Sequence, residues 1–184
     1  MNKAIFMDRD GVIIENRPNY VLSWSDVEFF PESLAALRIV RPSIKVIIIT
    51  NQSAVGRGLI SLSEAQALNR RIEEEIRIHG GKVDDSYLCP HSPQQACQCR
   101  KPQPGLILQA ARELDLDLSN SIMIGDALSD ILAGKNAGIP KNILVETGRG
   151  SQQRLLPELR QFDDLLIYSN LLTALLDQPE FITA

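Results

Sequence analysis

Short apolar runs in this chain stop abruptly at polar residues, and helical patterns fill the stretches between them. Lys3 to Met7 ends at Asp8-Arg9-Asp10-Gly11, and the β-branched run Ile44 to Ile49 ends at Thr50-Asn51-Gln52-Ser53. Ser121 to Ile124 ends at Gly125-Asp126, and Asn142 to Val145 ends at Glu146-Thr147-Gly148. Val83 to Leu88 and Leu165 to Ile167 have weaker patterns of the same kind. Short apolar runs bounded by turn residues read as buried strands. Between them, Pro31-Glu32-Ser33 opens a helix with Leu34, Leu37 and Val40 at helical spacing. Ser63 with Gln66 reads as the capping box of a second helix that stops at Gly80-Gly81. Pro104-Gly105 starts a third helix, Asp130 to Asn136 is a fourth, and a last one runs from Asn170 to about Leu176. Strands alternating with helices predict an α/β fold: a Rossmann-like parallel sheet with helices on both faces, joined by right-handed crossovers. No repeat or long linker divides the chain, so 1–184 reads as one domain.

In such a sheet, chemistry gathers beyond the carboxyl ends of the strands. Asp8 would be the last strand residue, and Asp10 would lie in the loop on the same side. Asp-x-Asp-Gly is also what a plain polar turn looks like. The later strand ends add Thr50 and Asn51, then Asp126 and Asp130, while Arg100 and Lys101 follow a long loop. Carboxylates suit Mg²⁺, and hydroxyl, amide and lysine groups suit the oxygens of a transferring phosphoryl group. The stretch from Asn16 to Tyr20 lies next to this point and is either a substrate-contacting loop or ordinary surface.

The three cysteines all fall between residues 89 and 99. Cys89-x-His91, five residues, then Cys97-x-Cys99 supplies four ligands, enough for closed tetrahedral Zn²⁺ with a structural role. Zinc would fold a loop that has no core of its own, and would position Arg100 and Lys101 at its end.

Composition excludes several classes. A net charge of −4 argues against a nucleic-acid binder. No run approaches the ~18 apolar residues of a membrane span. The N-terminal apolar run is too short for a signal peptide, so a cytoplasmic protein with no membrane partner is expected.

Asp8-x-Asp10-Gly11-Val12, Thr50-Asn51, Lys101 and Gly125-Asp126-x-x-x-Asp130 resemble, in order, the four motifs of the haloacid dehalogenase (HAD) superfamily. The resemblance implies a magnesium-dependent phosphatase. Asp8 would be the covalent nucleophile and Asp10 the general acid and base. Asp8, Asp10 (through its carbonyl) and Asp126 would hold Mg²⁺. Thr50 and Lys101 would hold phosphoryl oxygens, and Asp130 would orient its neighbours.

Cys-Pro-His…Cys-x-Cys-Arg-Lys-Pro resembles both the D-glycero-D-manno-heptose 1,7-bisphosphate phosphatase and the histidinol-phosphate phosphatase families. Asn51-Gln52-Ser53-x-x-x-Arg57-Gly58, Lys101-Pro102-x-Pro104-Gly105 and Val145-x-Thr147-Gly148-x-Gly150 favour the heptose family. That resemblance implies a small phosphorylated sugar as substrate, supplying heptose for lipopolysaccharide or surface glycans. Arg100 would meet a distal phosphate, and Asn16, Tyr20, Asn51, Gln52, Ser53 and Arg57 would line the substrate pocket. Ala127 stands where the family often has Lys, and Ala54 where Gly is frequent. No insertion is long enough for a cap domain, and by analogy a capless chain acts as a monomer. A histidinol-phosphate phosphatase, another small sugar-phosphate phosphatase and a non-catalytic zinc-stabilised binding module are the alternatives.

Overall fold

The computed structural model describes residues 1–183. Six strands form one sheet: β1 (Ala4–Met7), β2 (Lys45–Asn51), β3 (Asp85–Cys89), β4 (Ile122–Gly125), β5 (Lys141–Val145) and β6 (Leu166–Tyr168). The order is β3-β2-β1-β4-β5-β6 and every neighbouring pair is parallel. β1 lies between β2 and β4, with Met7 level with both Ile48 and Ile124. The chain winds outward from β1 in one direction and from β4 in the other. The crevice at which winding reverses therefore opens at the carboxyl ends of β1 and β4, directly beyond Met7 and Gly125.

Side chains alternate across a strand, and the apolar ones divide accordingly into two cores. Ile5, Met7, Val46, Ile48, Ile122, Ile124, Ile143 and Val145 point to one face. They are covered by α1 (Pro31–Arg38), α3 (Leu62–Ile78) and α7 (Leu171–Leu176), through residues such as Leu37, Ile72, Ile76 and Leu175. Ala4, Phe6, Ile47, Ile49 and Met123 point to the other face. There α4 (Gly105–Glu113) contributes Leu106, Ile107 and Ala110, and α5 (Leu128–Asn136) contributes Ala133. Strands buried on both sides need apolar residues at every position, which is why these runs read as continuous rather than alternating.

Two one-turn helices complete the set, α2 (Ser53–Gly56) after β2 and α6 (Gly150–Gln153) after β5. No helix is long and apolar enough to cross a membrane among the described residues.

One sequence expectation needs correction. The cap of α3 is Ser61, not Ser63: its hydroxyl accepts from the Glu64 amide at 3.2 Å, and the Glu64 carboxylate accepts from the Ser61 amide at 2.9 Å. Either serine offers a box two residues apart, but Ser61 pairs with a charged Glu, the stronger acceptor. The charged face of α3 is not wholly solvated. Glu73 is buried and accepts from Ser86, and the Arg71 guanidinium lies 4.0 Å from the Trp24 ring centroid. On α4 the buried stripe is Leu106, Ile107 and Ala110, while Leu108, Ala111 and Leu114 are only partly covered.

Candidate active site

Asp8 is the first residue past β1 and is buried. Its Oδ1 accepts from the Arg9 amide at 2.7 Å and forms an ion pair with the Lys101 ammonium at 2.9 Å. The same ammonium lies 2.8 Å from Asp130 Oδ1 and donates to the Ile49 carbonyl at 2.8 Å. The ammonium thus meets three oxygens, donating to the Ile49 carbonyl and forming ion pairs with the two carboxylates. Lys101 is held at this depth by its own backbone. Its amide donates to Asn51 Oδ1 and its carbonyl accepts from Asn51 Nδ2, both at 3.1 Å. Thus the end of β2 grips the end of the cysteine loop, and one amide side chain does it.

Asp126 follows β4 and is fully buried. Oδ2 accepts from Asn16 Nδ2 at 2.7 Å and from the Arg149 amide at 2.8 Å. The Arg149 guanidinium adds Nε on Oδ2 at 3.2 Å and Nη2 on Oδ1 at 3.0 Å. Only glycine allows so many groups to close on one carboxylate. A Cβ at Gly11 (φ +90°) would lie 2.1 Å from Asp126 Oδ2, and one at Gly148 (φ +57°) would lie 2.4 Å from Gly11 Cα. Asp130 caps α5, its Oδ2 accepting from the Ala127 amide at 3.0 Å. The Ala127 position that the family often fills with Lys is itself buried.

Asp8, Asp126 and Asp130 offer carboxylate oxygens within 4.8 Å of one another. Like charges so close, out of water, resist ionisation. Burial first, then the neighbouring carboxylates, push Asp8 up to about 7, against the pull of Lys101. Burial, then Asp130, likewise raises Asp126 against the pull of Arg149. A hard cation would relieve this repulsion, and carboxylate oxygen is the donor that Mg²⁺ prefers. The donor set thus fits the metal that the sequence implies.

Asp10 is held by a residue that sequence reasoning missed. Arg9 is only 1% exposed, yet its guanidinium forks onto Asp10, with Nε on Oδ2 and Nη2 on Oδ1, both at 3.1 Å. Nη1 continues to Asn69 Oδ1 on α3 at 3.1 Å, and Asn69 donates to Ser86 Oγ at 2.9 Å. Gln52 Nε2 also donates to Asp10 Oδ2, at 2.9 Å. A charged residue between two apolar runs was the available signal: an arginine that cannot reach solvent must meet a carboxylate.

These groups open on a cavity of about 520 Å³ lined by Asp8, Asp10, Asn16, Tyr20, Asn51, Gln52, Ser53, Arg100, Lys101 and Asp130, with Arg17 and Arg149 at its wall. Two expected members stand apart. Thr50 is fully buried behind Gln52, its hydroxyl 3.5 Å from Asp10 Oδ2 and 2.8 Å from Gln52 Nε2. Arg57 caps the end of α2, is exposed and is not among the lining residues. Its long side chain leaves the end of a one-turn helix at the surface.

In the cysteine loop, Cys89 Sγ, His91 Nδ1, Cys97 Sγ and Cys99 Sγ converge. Cys99 Sγ lies 3.1 Å from Cys89 Sγ, 3.3 Å from Cys97 Sγ and 3.2 Å from His91 Nδ1. These separations are too long for a disulfide, and the thiols are free. Four soft or borderline donors around one point fit closed tetrahedral Zn²⁺.

Known proteins resemble this chain in sequence and fold. The chain is 42% identical over 146 residues to a D-glycero-β-D-manno-heptose-1,7-bisphosphate 7-phosphatase of Helicobacter pylori, covering 78% of this chain and 83% of that protein. The chain belongs to this phosphatase family. A D-glycero-α-D-manno-heptose-1,7-bisphosphate 7-phosphatase of Photorhabdus laumondii is 37% identical over 159 residues, covering 82% and 86%. Residues 98–169 match the HAD-hydrolase-like family model. The crystal structure of the D,D-heptose 1,7-bisphosphate phosphatase of B. bronchiseptica, complexed with magnesium and phosphate, superposes with a TM-score of 0.84 at 32% identity, covering 96% of this chain and 99% of that one. The chain is therefore a HAD-like phosphatase, a phosphoric monoester hydrolase with the parallel-sheet fold that its strand ends predict.

Proposed function

We propose that the protein is a magnesium-dependent phosphatase that removes the 7-phosphate of D-glycero-D-manno-heptose 1,7-bisphosphate. The observation that carries this reading is the buried cluster of Asp8, Asp126, Asp130 and Lys101 beneath a cavity walled by arginines. The heptose-1,7-bisphosphate 7-phosphatases that the chain resembles support the substrate and the position attacked. Asp8 and Asp126 are the residues that would hold Mg²⁺, beside Asp10. When bound, the metal supplies positive charge between carboxylate and phosphate, which otherwise repel.

The chain's own residues do the rest. An Asp8 carboxylate oxygen attacks phosphorus and forms an aspartyl-phosphate as the bond to the sugar oxygen breaks. Asp10, oriented by Arg9 and Gln52, gives that oxygen its proton. Asp10 then takes a proton from water as the water attacks phosphorus, and Asp8 returns as carboxylate with release of phosphate. Lys101 neutralises charge beside Asp8, and Asp130 keeps Lys101 in place. Thr50 acts on Asp10 rather than on phosphate. Arg100 is the cation for the second phosphate, and Asn16, Tyr20, Asn51, Gln52 and Ser53 border the sugar. Zn²⁺ on Cys89, His91, Cys97 and Cys99 is structural. We read 1–184 as one domain, acting as a monomer in the cytoplasm.

The test is phosphate release with Mg²⁺ from both anomers of the heptose 1,7-bisphosphate, with histidinol phosphate alongside and the product identified by ³¹P NMR. The expected product is the heptose 1-phosphate. A higher kcat/KM for histidinol phosphate would overturn the substrate while leaving the mechanism.

A further inference from the structure

Arg149 fills a variable position of the Val145–Gly150 stretch and carries no assigned role, yet its main-chain amide, Nε and Nη2 all donate to Asp126. Its guanidinium spans the carboxylate, and among the described residues the one hydrogen-bond donor to Oδ1 is Arg149 Nη2, at 3.0 Å. Oδ2, by contrast, is already served by Asn16 Nδ2 and by the Arg149 main-chain amide. The two partners differ in mobility. Asp126 is fully buried, whereas the Arg149 side chain is 52% exposed and lines the cavity. An arginine so placed can swing away while the carboxylate stays fixed by its two other donors.

The electrostatics add a reason for it to do so. Lys101 already serves Asp8 and Asp130. Arg149 is then the counter-ion of Asp126, and a divalent cation held by Asp8 and Asp126 would duplicate that charge a few ångströms away. Two cations on one carboxylate oxygen repel.

We infer that Arg149 is an internal counter-ion that competes with the divalent cation for Asp126 Oδ1, and that metal binding turns its guanidinium into the cavity as an anion-binding group. The inference rests on the reading of Asp126 as a metal ligand. It gives an order of events: the metal enters first, and only then does Arg149 become free for the anionic end of the substrate. Two roles are thereby joined in one side chain, a lock on the metal site and a cation for the substrate.

The experiment is calorimetric titration of Mg²⁺ into the full chain with zinc retained, without substrate, at fixed ionic strength. Wild type is compared with Arg149→Gln and Arg149→Lys. Both variants keep the main-chain amide on Oδ2. The Gln variant should bind Mg²⁺ about tenfold more tightly, the scale of one charge-assisted fork at a half-exposed site, with the Lys variant between. In parallel, the Arg149 Nε–H resonance of ¹⁵N-arginine-labelled wild type should be protected without Mg²⁺ and exchange faster as Mg²⁺ is added. Equal or weaker Mg²⁺ binding by the Gln variant, together with an Nε–H signal that Mg²⁺ leaves unmoved, would overturn the inference while wild-type binding kept the metal site. Failure of wild type itself to bind Mg²⁺ would sink the metal site and the inference with it.

Discussion

Asp8 shows how a residue chosen for chemistry costs stability. Its folded-state pKa lies near 7, above the ordinary 3.8, because burial and three other carboxylates oppose ionisation. Between about pH 4 and pH 7 the folded chain holds a proton that the unfolded chain has released. Stability then falls as pH rises through that window, and the full penalty stands above it. Asp8→Asn removes this penalty. Without divalent cations, the gap in Tm between the Asn variant and wild type should widen from pH 4 to 7 and level off above. Phosphatase activity should fall by at least ~10³-fold, since the nucleophile is gone. A gap that narrows with rising pH would show that Asp8 is not the raised group.

Arg9 makes the complementary case. Arg9→Lys keeps the charge but loses the fork onto Asp10. It should lower kcat by about 10–100-fold with KM little changed, because only the proton-transferring group is misplaced. Steady-state kinetics decide it: an effect on KM alone would assign Arg9 to substrate binding. The motif residues Asp8, Asp126 and Lys101 were readable from sequence since each ends a strand or a loop at the crevice. Arg149 was not, and for Arg9 the sequence showed a charge between apolar runs but not the carboxylate that it meets. Each acts by reaching a carboxylate that lies near it in space, and spacing along the chain carries no record of where a long side chain turns.

At the scale of elements, the cysteine loop from 89 to 99 does for this site what a core does for a helix. It has few apolar residues, and its end supplies Arg100 and Lys101. Lys101 is fixed by Asn51 and lies two residues after Cys99, the last of the four converging donors. Arg100 leans on the same loop, its Nη1 3.3 Å from the His91 carbonyl. Cys99→Ser should therefore lose stoichiometric zinc, lower Tm and cut kcat/KM by ~10-fold or more. Metal analysis beside kinetics checks this: a variant without zinc but with unchanged kcat/KM would show that Lys101 needs no support from the loop. Chelator-treated wild type should regain full activity only when zinc is returned together with magnesium. The Cys89, His91, Cys97 and Cys99 cluster was readable because the four residues lie close in sequence, and the fold also brings their donor atoms together in space. The cap of α3 was misread because two serines, Ser61 and Ser63, each precede an acceptor by three residues. Local pattern cannot rank such boxes when the entering chain decides which is used.

At the scale of the whole molecule, the sheet order places the catalytic crevice and the chain's end at opposite poles, and the two should be separable. A parallel sheet with helices on both faces followed from the alternation of strands and helices, whereas the strand order β3-β2-β1-β4-β5-β6 was not readable, because alternation does not say on which side of β1 each later strand adds. The last residues were not readable, because the stretch after Leu176 has neither period. The structure nevertheless buries Phe181 to 2% exposure and Ile182 to 8%, in the same core as Leu37 and Leu175. Polar contacts strap them down: Arg41 donates to the Ile182 carbonyl, and the Thr183 amide donates to the Ile39 carbonyl at 2.7 Å. This segment closes the α1–α7 end of one core, far along the strands from Asp8. Phe181→Ala should cost about 3–5 kcal/mol, as phenylalanine deletions in tight cores do. For a chain of this size that lowers Tm by roughly 10 °C. Activity at a temperature well below the lowered transition should stay within about twofold, since no group at the crevice touches Phe181. Thermal melts and kinetics on the same preparation separate the two effects. A large loss of kcat in fully folded Phe181→Ala would mean that the two poles of the sheet are coupled, and that packing at the amino ends of the strands reaches the carboxylates at the other.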